Sequence, residues 1–313
     1  MSAPAPANHR AGFVSIVGSP NVGKSTLMNA LLGENLSICT PKASTTRQRI
    51  MGIANEDEWQ IVYSDTPGVV KPSYKLHEGM MGAVRCAIED ADVILFITDV
   101  LEEGFRDEKM LARVRSAEVP VLMLINKVDL LGKPLPPGKP SFPQPMAMNV
   151  TSILAWWSAQ LPGAEMFELS AKEGNGLPEL KARLLELLPL HQPYFDKTQL
   201  SDRPEKFFAA EFVRAQIFAQ FDDEVPYSCE VEVTAFVESD NKIKAEATVH
   251  VMRDSQKGIL IGHKGSGVKK LTEGAQRDLY RFFGKRVDLR LQIKVSKNWR
   301  ADDMLLKQFG YLR

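Results

Sequence analysis

Short, almost wholly apolar runs alternate with longer stretches of helical spacing along the first half of the chain. Residues 13–17 form one such run, which feeds into a glycine-containing turn, and Leu27, Ala30 and Leu31 then recur at helical intervals over Lys24–Leu32. Further strands are predicted at 50–54, 60–63, 93–97 and 119–125, with a helix ending near Asp90 before the third of these. Residues 167–169 give a last strand and Leu177–Leu187 a last helix. Strands alternating with helices predict an α/β fold with a doubly wound, mostly parallel sheet. Between Leu131 and Met146 the prolines at 134, 136, 137, 140, 143 and 145 remove backbone donors and block both helix and sheet, which predicts a surface loop. After it Val150, Ile153, Leu154, Trp157 and Leu161 share one helical face, with Trp157 expected in the core and its neighbour Trp156 exposed.

The pattern changes at residues 191–204, polar and proline-bearing, which reads as a linker between a first domain at 10–190 and a second at 205–313. Beyond it come a helix at 207–221, strands at 229–237 and 243–252, an apolar stretch at 258–261 read as passing from strand into helix, and a strand at 287–295. These predict a smaller α+β domain.

A chain of 313 residues is long for one domain and comfortable for two. Its 39 basic and 39 acidic side chains cancel, so a polyanionic partner has to be met by a local patch. Residues 253–300 supply one, with thirteen Lys or Arg against four Asp or Glu. Cys39, Cys86 and Cys229 are too few and scattered for a disulfide framework or a zinc site, and predict a reducing, cytoplasmic setting. No leader-like segment opens the chain, and no apolar run reaches the roughly 20 residues of a membrane span. Peripheral association with a membrane is left open, without support in the sequence.

Four segments carry chemistry. Gly18-Ser19-Pro20-Asn21-Val22-Gly23-Lys24-Ser25, followed by Thr26, fits G-x-x-x-x-G-K-[ST] between a strand and a helix. Glycines there turn successive N–H groups around phosphates, Lys24 would meet the β- and γ-phosphates, and Ser25 would hold Mg²⁺. Asp65-Thr66-Pro67-Gly68 follows an apolar strand, placing a carboxylate for the Mg²⁺ shell and a glycine N–H for the γ-phosphate. Asn126-Lys127-Val128-Asp129 also follows a strand, and a carboxylate accepting from two adjacent N–H donors suits the edge of guanine and not of adenine. Ser170-Ala171-Lys172 is expected to complete the base pocket with backbone donors. In the basic C-terminal stretch, Gly262-His263-Lys264-Gly265 is a G-x-x-G turn where an RNA backbone can approach closely, with Lys269, Lys270 and Arg277 as further phosphate contacts. Arg281, Lys285 and Arg286 are weaker candidates, a solvated helix face being the commoner meaning of such residues; Trp299 is assigned to core packing ahead of base stacking.

These segments resemble the nucleotide motifs of translation-factor-like small GTPases, and Thr45-Thr46-Arg47 resembles the T-T-R of their TrmE–Era branch. The α-β-β-α-α-β order with its G-x-x-G turn resembles a type II KH domain, and the closing Lys297-Asn298-Trp299 and Gly310-Tyr311-Leu312 are similar to the C-terminal domain of the Era family. The resemblance implies a P-loop GTPase fold followed by a KH domain, with Thr46 on Mg²⁺ and the γ-phosphate and Thr45 as a close alternative. It makes Lys24, Thr46 and Gly68 the catalytic set and Ser25, Thr46 and Asp65 the metal set. It also implies GTP and GDP as ligands, binding near the 3′ end of small-subunit (16S-type) ribosomal RNA, a part in 30S subunit assembly, and no DNA partner. Val69 stands where many relatives carry a water-orienting Gln, so slow intrinsic hydrolysis is expected. Asn21 is the residue type that contacts K⁺ in some members of the branch, although a turn-forming role explains it equally well. The chain departs from the pattern at the proline-rich stretch, which reads as an insertion, and at His263, whose charge changes near neutral pH. Two rivals stay open: a GTPase serving RNA modification or protein targeting, and a binding module in which nucleotide is structural.

Overall fold

A computed structural model describes residues 6, 8–40, 42, 44–102, 105, 107–133 and 150–312. The prolines at 134–145, and Ala43 beside the threonine pair, lie outside the described residues. The chain divides into two compact units, one of residues 1–37, 46–72 and 80–202, the other of 38–45, 73–79 and 203–313.

The first unit is built on a six-stranded sheet. Its elements are β1 (Arg10–Gly18), α1 (Lys24–Leu32), β2 (Ile50–Glu56), β3 (Trp59–Asp65), α2 (Lys75–Glu89), β4 (Val93–Asp99), α3 (Glu108–Arg115), β5 (Val121–Asn126), α4 (Val150–Gln160), β6 (Glu165–Glu168) and α5 (Leu177–Leu187). The first turn of α2 clusters with the other unit. Strand order is β2-β3-β1-β4-β5-β6, and only the β2–β3 pair is antiparallel. Strands covered on both faces should be apolar throughout, and β3 and β4 are buried at every position. Register puts Ile16 beside Asp65, Gly18 beside Ile97 and Asp99 beside Asn126, which gathers the strand ends that carry the motifs along one edge of the sheet. Under the sheet Trp157 is 2% exposed and meets Phe96 edge to face at 5.4 Å, whereas Trp156 is half-buried. Helix α3, absent from the sequence reading, buries Met110, Leu111 and Val114 at helical spacing, and Asp107 caps it by accepting from Met110 N at 3.0 Å.

Residues 191–202, read as linker in the sequence, cluster with this unit. Leu190, just before this segment, bridges Arg10 of β1, and within it Ser201 bridges Gly52 while Ile53 N donates to Leu200 O at 2.9 Å, so its end satisfies backbone groups along the β2 edge.

The second unit contains α6 (Glu205–Gln220), a short α7 (Val225–Ser228), β7 (Glu230–Glu238), β8 (Lys242–Val251), α8 (Asp254–Ile261), α9 (Ser266–Phe283), β9 (Arg286–Val295) and α10 (Asp303–Gln308). Its sheet runs β7-β8-β9, antiparallel then parallel, and the parallel step requires a crossover, made by α8 and α9. The stretch at 258–261 is thus the last turn of a helix and not a strand. Gln256 accepts from Met252 N and Arg253 N at 3.1 and 3.0 Å, which fixes where that helix opens. Val213 and Ile217 of α6 and Leu271, Ala275 and Leu279 of α9 close over the inward residues Ile243, Val249 and Leu289. Trp299 is fully buried and donates Nε1–H to Ser228 O at 2.9 Å, so it is a core residue and does not stack on a base. Within this unit Arg214, 1% exposed, is ion-paired with Glu211 and donates to the carbonyl of Thr45. Lys75 pairs with Asp303 at 2.8 Å, and Arg300 lies over the Tyr74 ring at 4.5 Å. Among the described residues no helix is long and apolar enough to cross a membrane.

Candidate functional site

The turn between β1 and α1 holds its shape through residues that only some side chains permit. A Cβ on Gly18 would sit 2.1 Å from Ile97 O, and Gly23 has φ +103°. Lys24, at the first position of α1, is buried and donates to Gly18 O at 3.2 Å and Ser19 O at 2.7 Å. Burial lowers its pKa to about 8, against the opposing pull of the Asp65 and Glu102 carboxylates. The Asp65 to Gly68 loop lies against this turn: Val69 N donates to Gly18 O at 3.1 Å, and a Cβ on Gly68 would come within 2.8 Å of Pro20. Thr66 donates to Ile16 O at 2.6 Å, which ties the loop to β1.

Ser25, Thr46 and Asp65 converge. Ser25 Oγ donates to Asp65 Oδ2 at 2.6 Å, Thr46 Oγ1 lies 3.0 Å from Ser25 Oγ, and Thr46 Oγ1 donates to the same carboxylate oxygen at 3.3 Å. One buried carboxylate and two hydroxyls form an all-oxygen donor set, which fits a hard cation such as Mg²⁺ that keeps several of its other ligands as water or phosphate. Desolvation raises the pKa of Asp65, and the Ser25 hydroxyl and Lys24 ammonium oppose that shift. Thr45 faces elsewhere, with Oγ1 2.7 Å from Thr40 Oγ1 and donating to Lys42 O at 2.9 Å, so Thr46 and not Thr45 joins the oxygen cluster.

Beside this cradle lies a cavity of about 270 Å³ whose walls include Gly23, Thr26, Asn126, Lys127, Asp129, Ser170, Ala171 and Lys172. Asn126 is its keystone. Its Nδ2 donates to Val22 O at 2.7 Å, and its Oδ1 accepts from Ala171 N at 3.0 Å. Asp129 Oδ1 accepts from Ser170 Oγ at 2.6 Å, which orients the carboxylate in the wall. The Ala171 and Ser170 amides, expected to face the base, donate instead to Asn126 Oδ1 and Asn175 O; they rigidify the pocket wall. Val128 N donates to Leu169 O at 3.3 Å, and Lys172 is paired with Glu173 at 3.1 Å. Leu130 also lines the cavity, and nothing in its spacing marked it.

In the second unit Gly262 (φ +69°) and Gly265 (φ +82°) bracket the turn between α8 and α9, and Lys264 has φ +48°. A Cβ on Gly262 would lie 2.7 Å from Gly267 N, and one on Gly267 2.5 Å from Leu260 O, so the ends of the two helices meet backbone to backbone at a glycine outside the G-x-x-G turn. His263, Lys264, Lys269, Lys270 and Arg277 are all at least partly exposed. Arg277 and Arg281 stand 3.9 and 3.6 Å from Asp278, Lys285 is paired with Glu238, and Arg286 is exposed.

A phosphate-binding turn with an oxygen cluster and a carboxylate-walled pocket at one sheet edge defines a P-loop GTPase, and the second unit adds an RNA-binding type of fold. Residues 13–127 match the family of 50S ribosome-binding GTPases and residues 224–300 the KH domain family. The chain is 40% identical over 302 residues to GTPase Era of Geotalea daltonii, spanning 96% of this chain and 97% of that protein. It is 39% identical over 310 residues to the chloroplastic GTPase ERA1 of Zea mays, spanning 97% of this chain and 71% of the relative. A crystal structure of Era in complex with MgGDPNP and nucleotides 1506–1542 of 16S ribosomal RNA superposes with a TM-score of 0.88 at 36% identity, covering 97% of this chain and all of that one. The chain belongs to the Era family of GTPases.

Proposed function

We propose that this protein is a GTP-hydrolysing switch that binds small-subunit ribosomal RNA near its 3′ end and acts in assembly of the 30S subunit. The observation that carries the nucleotide half is the Asp129 carboxylate, held by Ser170 in the wall of a cavity adjoining the Lys24 cradle. That carboxylate accepts from the ring and exocyclic N–H of guanine; adenine would leave it with the Ser170 hydroxyl but without the pair of base donors, a loss of about 1–3 kcal/mol or more. Ser25, Thr46 and Asp65 would hold Mg²⁺, which when bound neutralises charge on the β- and γ-phosphates. Lys24 adds a cation on the other side of the phosphates, while the amides of residues 18–25 and Gly68 orient them. Val69 is buried and has no group to orient water, which supports slow turnover. Asn21, with φ +65° at the rim of the cradle, is offered as a K⁺ contact, and equal turnover in Na⁺ and K⁺ buffers would remove that role.

The RNA half rests on the exposed Lys264 of the 262–265 turn, on the exposed Lys269 and Lys270 of α9, and on the relative solved with a 16S fragment. Calorimetric titration of GTP and ATP, alongside an RNA of the small-subunit 3′ terminus and a scrambled control, tests both halves. Expected are a guanine preference of at least about a hundredfold and selective binding of the 3′ RNA, with turnover lost in Lys24→Ala. Equal affinity for GTP and ATP would refute the pocket assignment.

A further inference from the structure

Asp99 closes β4 directly beside Asn126, in a register that places its carboxylate next to the residue following that asparagine. Leu101 N donates to its Oδ1 at 2.8 Å, which leaves Oδ2 directed at the Lys127 ammonium, and the two form an ion pair. The same ammonium donates to the carbonyl of Asn21 at 2.5 Å. Asp99 is 4% exposed, and Lys127 sits at φ +62°, a backbone conformation that L-residues other than Asn and Asp seldom adopt. An unbroken chain of contacts therefore runs from the end of β4, through a wall of the cavity, to the phosphate-binding turn.

We infer that Asp99 is a positioning residue for the nucleotide: by holding Lys127 against the Asn21 carbonyl it joins base pocket to phosphate turn and sets guanine-nucleotide affinity irrespective of the γ-phosphate. This rests on the nucleotide reading of the cavity given above. Exposed ion pairs contribute little, but a pair whose carboxylate is shut from water holds its geometry, and losing one partner strands the other. Neither Lys127 contact involves a group that changes on hydrolysis. The contribution is accordingly uniform between GTP and GDP, and uniform binding appears in KM and not in kcat.

Asp99→Asn keeps an acceptor for Leu101 N and removes the charge. In the full-length protein with Mg²⁺, titrations with GDP and with non-hydrolysable GTP should each weaken by about tenfold, ~1.4 kcal/mol, with their ratio unchanged. KM for GTP should rise in step while kcat stays within about twofold. In a Lys127→Met background, adding Asp99→Asn should change either affinity by less than about twofold, because the two side chains act as a unit. Additive losses in that cycle, or a loss confined to one nucleotide, would overturn the inference. Asp99→Ser, which can still accept from Leu101 N but cannot reach Lys127, provides a second route; failure of both variants to fold would also overturn it, since the carboxylate would then serve stability alone. A wild-type protein without guanine preference would instead defeat the pocket reading itself.

Discussion

In the proposed guanine pocket, the hydrogen bond from Ser170 orients the Asp129 carboxylate on which base selectivity would depend. Replacing Asp129 by Asn converts an acceptor-only group into one that donates, which mismatches the guanine N–H edge and matches the carbonyl of xanthine. Asp129→Asn should therefore lose at least about a hundredfold in GTP affinity and gain in xanthosine triphosphate affinity, read by competition titration. Unchanged guanine selectivity would defeat the assignment. The residues of this pocket were legible because their chemistry is written in contiguous four-residue segments. Asp99 and Leu130 were not: Asp99 meets Lys127 only through strand register, and Leu130 reaches the cavity wall through the turn after Asn126. The bond from the Ala171 amide to Asn126 was not anticipated for a related reason: the two residues are 45 positions apart and no local pattern announces it.

The joint between α8 and α9 concentrates what the element scale contributes. Its glycines allow two helix ends to pass at backbone distance, and Gly267 is the tightest point, with a Cβ 2.5 Å from a carbonyl that cannot yield. Gly267→Ala should destabilise the second unit by roughly 1–3 kcal/mol in urea unfolding, as overpacking does elsewhere. Exposed charge at the same joint is assigned, in the proposed function, to RNA binding. Lys264→Glu with Lys270→Glu should weaken RNA binding across sequences and reduce its salt slope by about one for each phosphate left without a cation, with GTP turnover spared. Within β8, His250 has Nδ1 2.8 Å from Ser296 Oγ and Nε2 3.2 Å from Glu232. Burial lowers its pKa below 6.5, against Glu232 and Glu230, with Lys294 adding to the fall. The unfolded chain then binds the proton more readily, so this contribution to stability is full above pH 6.5 and is lost as pH falls through the folded pKa. His250→Gln should make the acid limb of a Tm-versus-pH series less steep. The doubly wound order and the α-β-β-α-α-β order were readable because each apolar run has the length of a buried strand. The run at 258–261 was too short to tell strand from helix by periodicity, and the 191–202 segment shows no spacing at all because it pairs through backbone.

At the scale of the whole chain, the division into units falls between Thr45 and Thr46, inside the segment proposed to meet the γ-phosphate. Residues 38–45 cluster with the second unit and Thr46 with the first, so one peptide bond separates Thr45, whose carbonyl Arg214 holds, from the hydroxyl next to Ser25 and Asp65. Residues 73–79 cluster with the second unit too, five positions after Gly68. Fixing Thr46 on a metal-bound γ-phosphate restricts the Thr45 peptide, and a buried guanidinium paired with Glu211 has no water to exchange that carbonyl for. Hydrogen exchange compared between non-hydrolysable GTP and GDP should hence slow in residues 38–45 and also in α6 around Arg214, two regions far apart in sequence. Arg214→Ala should abolish the response in α6 while the response at Thr46 persists, because the oxygen cluster does not include the arginine. A nucleotide response confined to the cradle and the base pocket, identical in wild type and Arg214→Ala, would mean that the switch ends at Thr46.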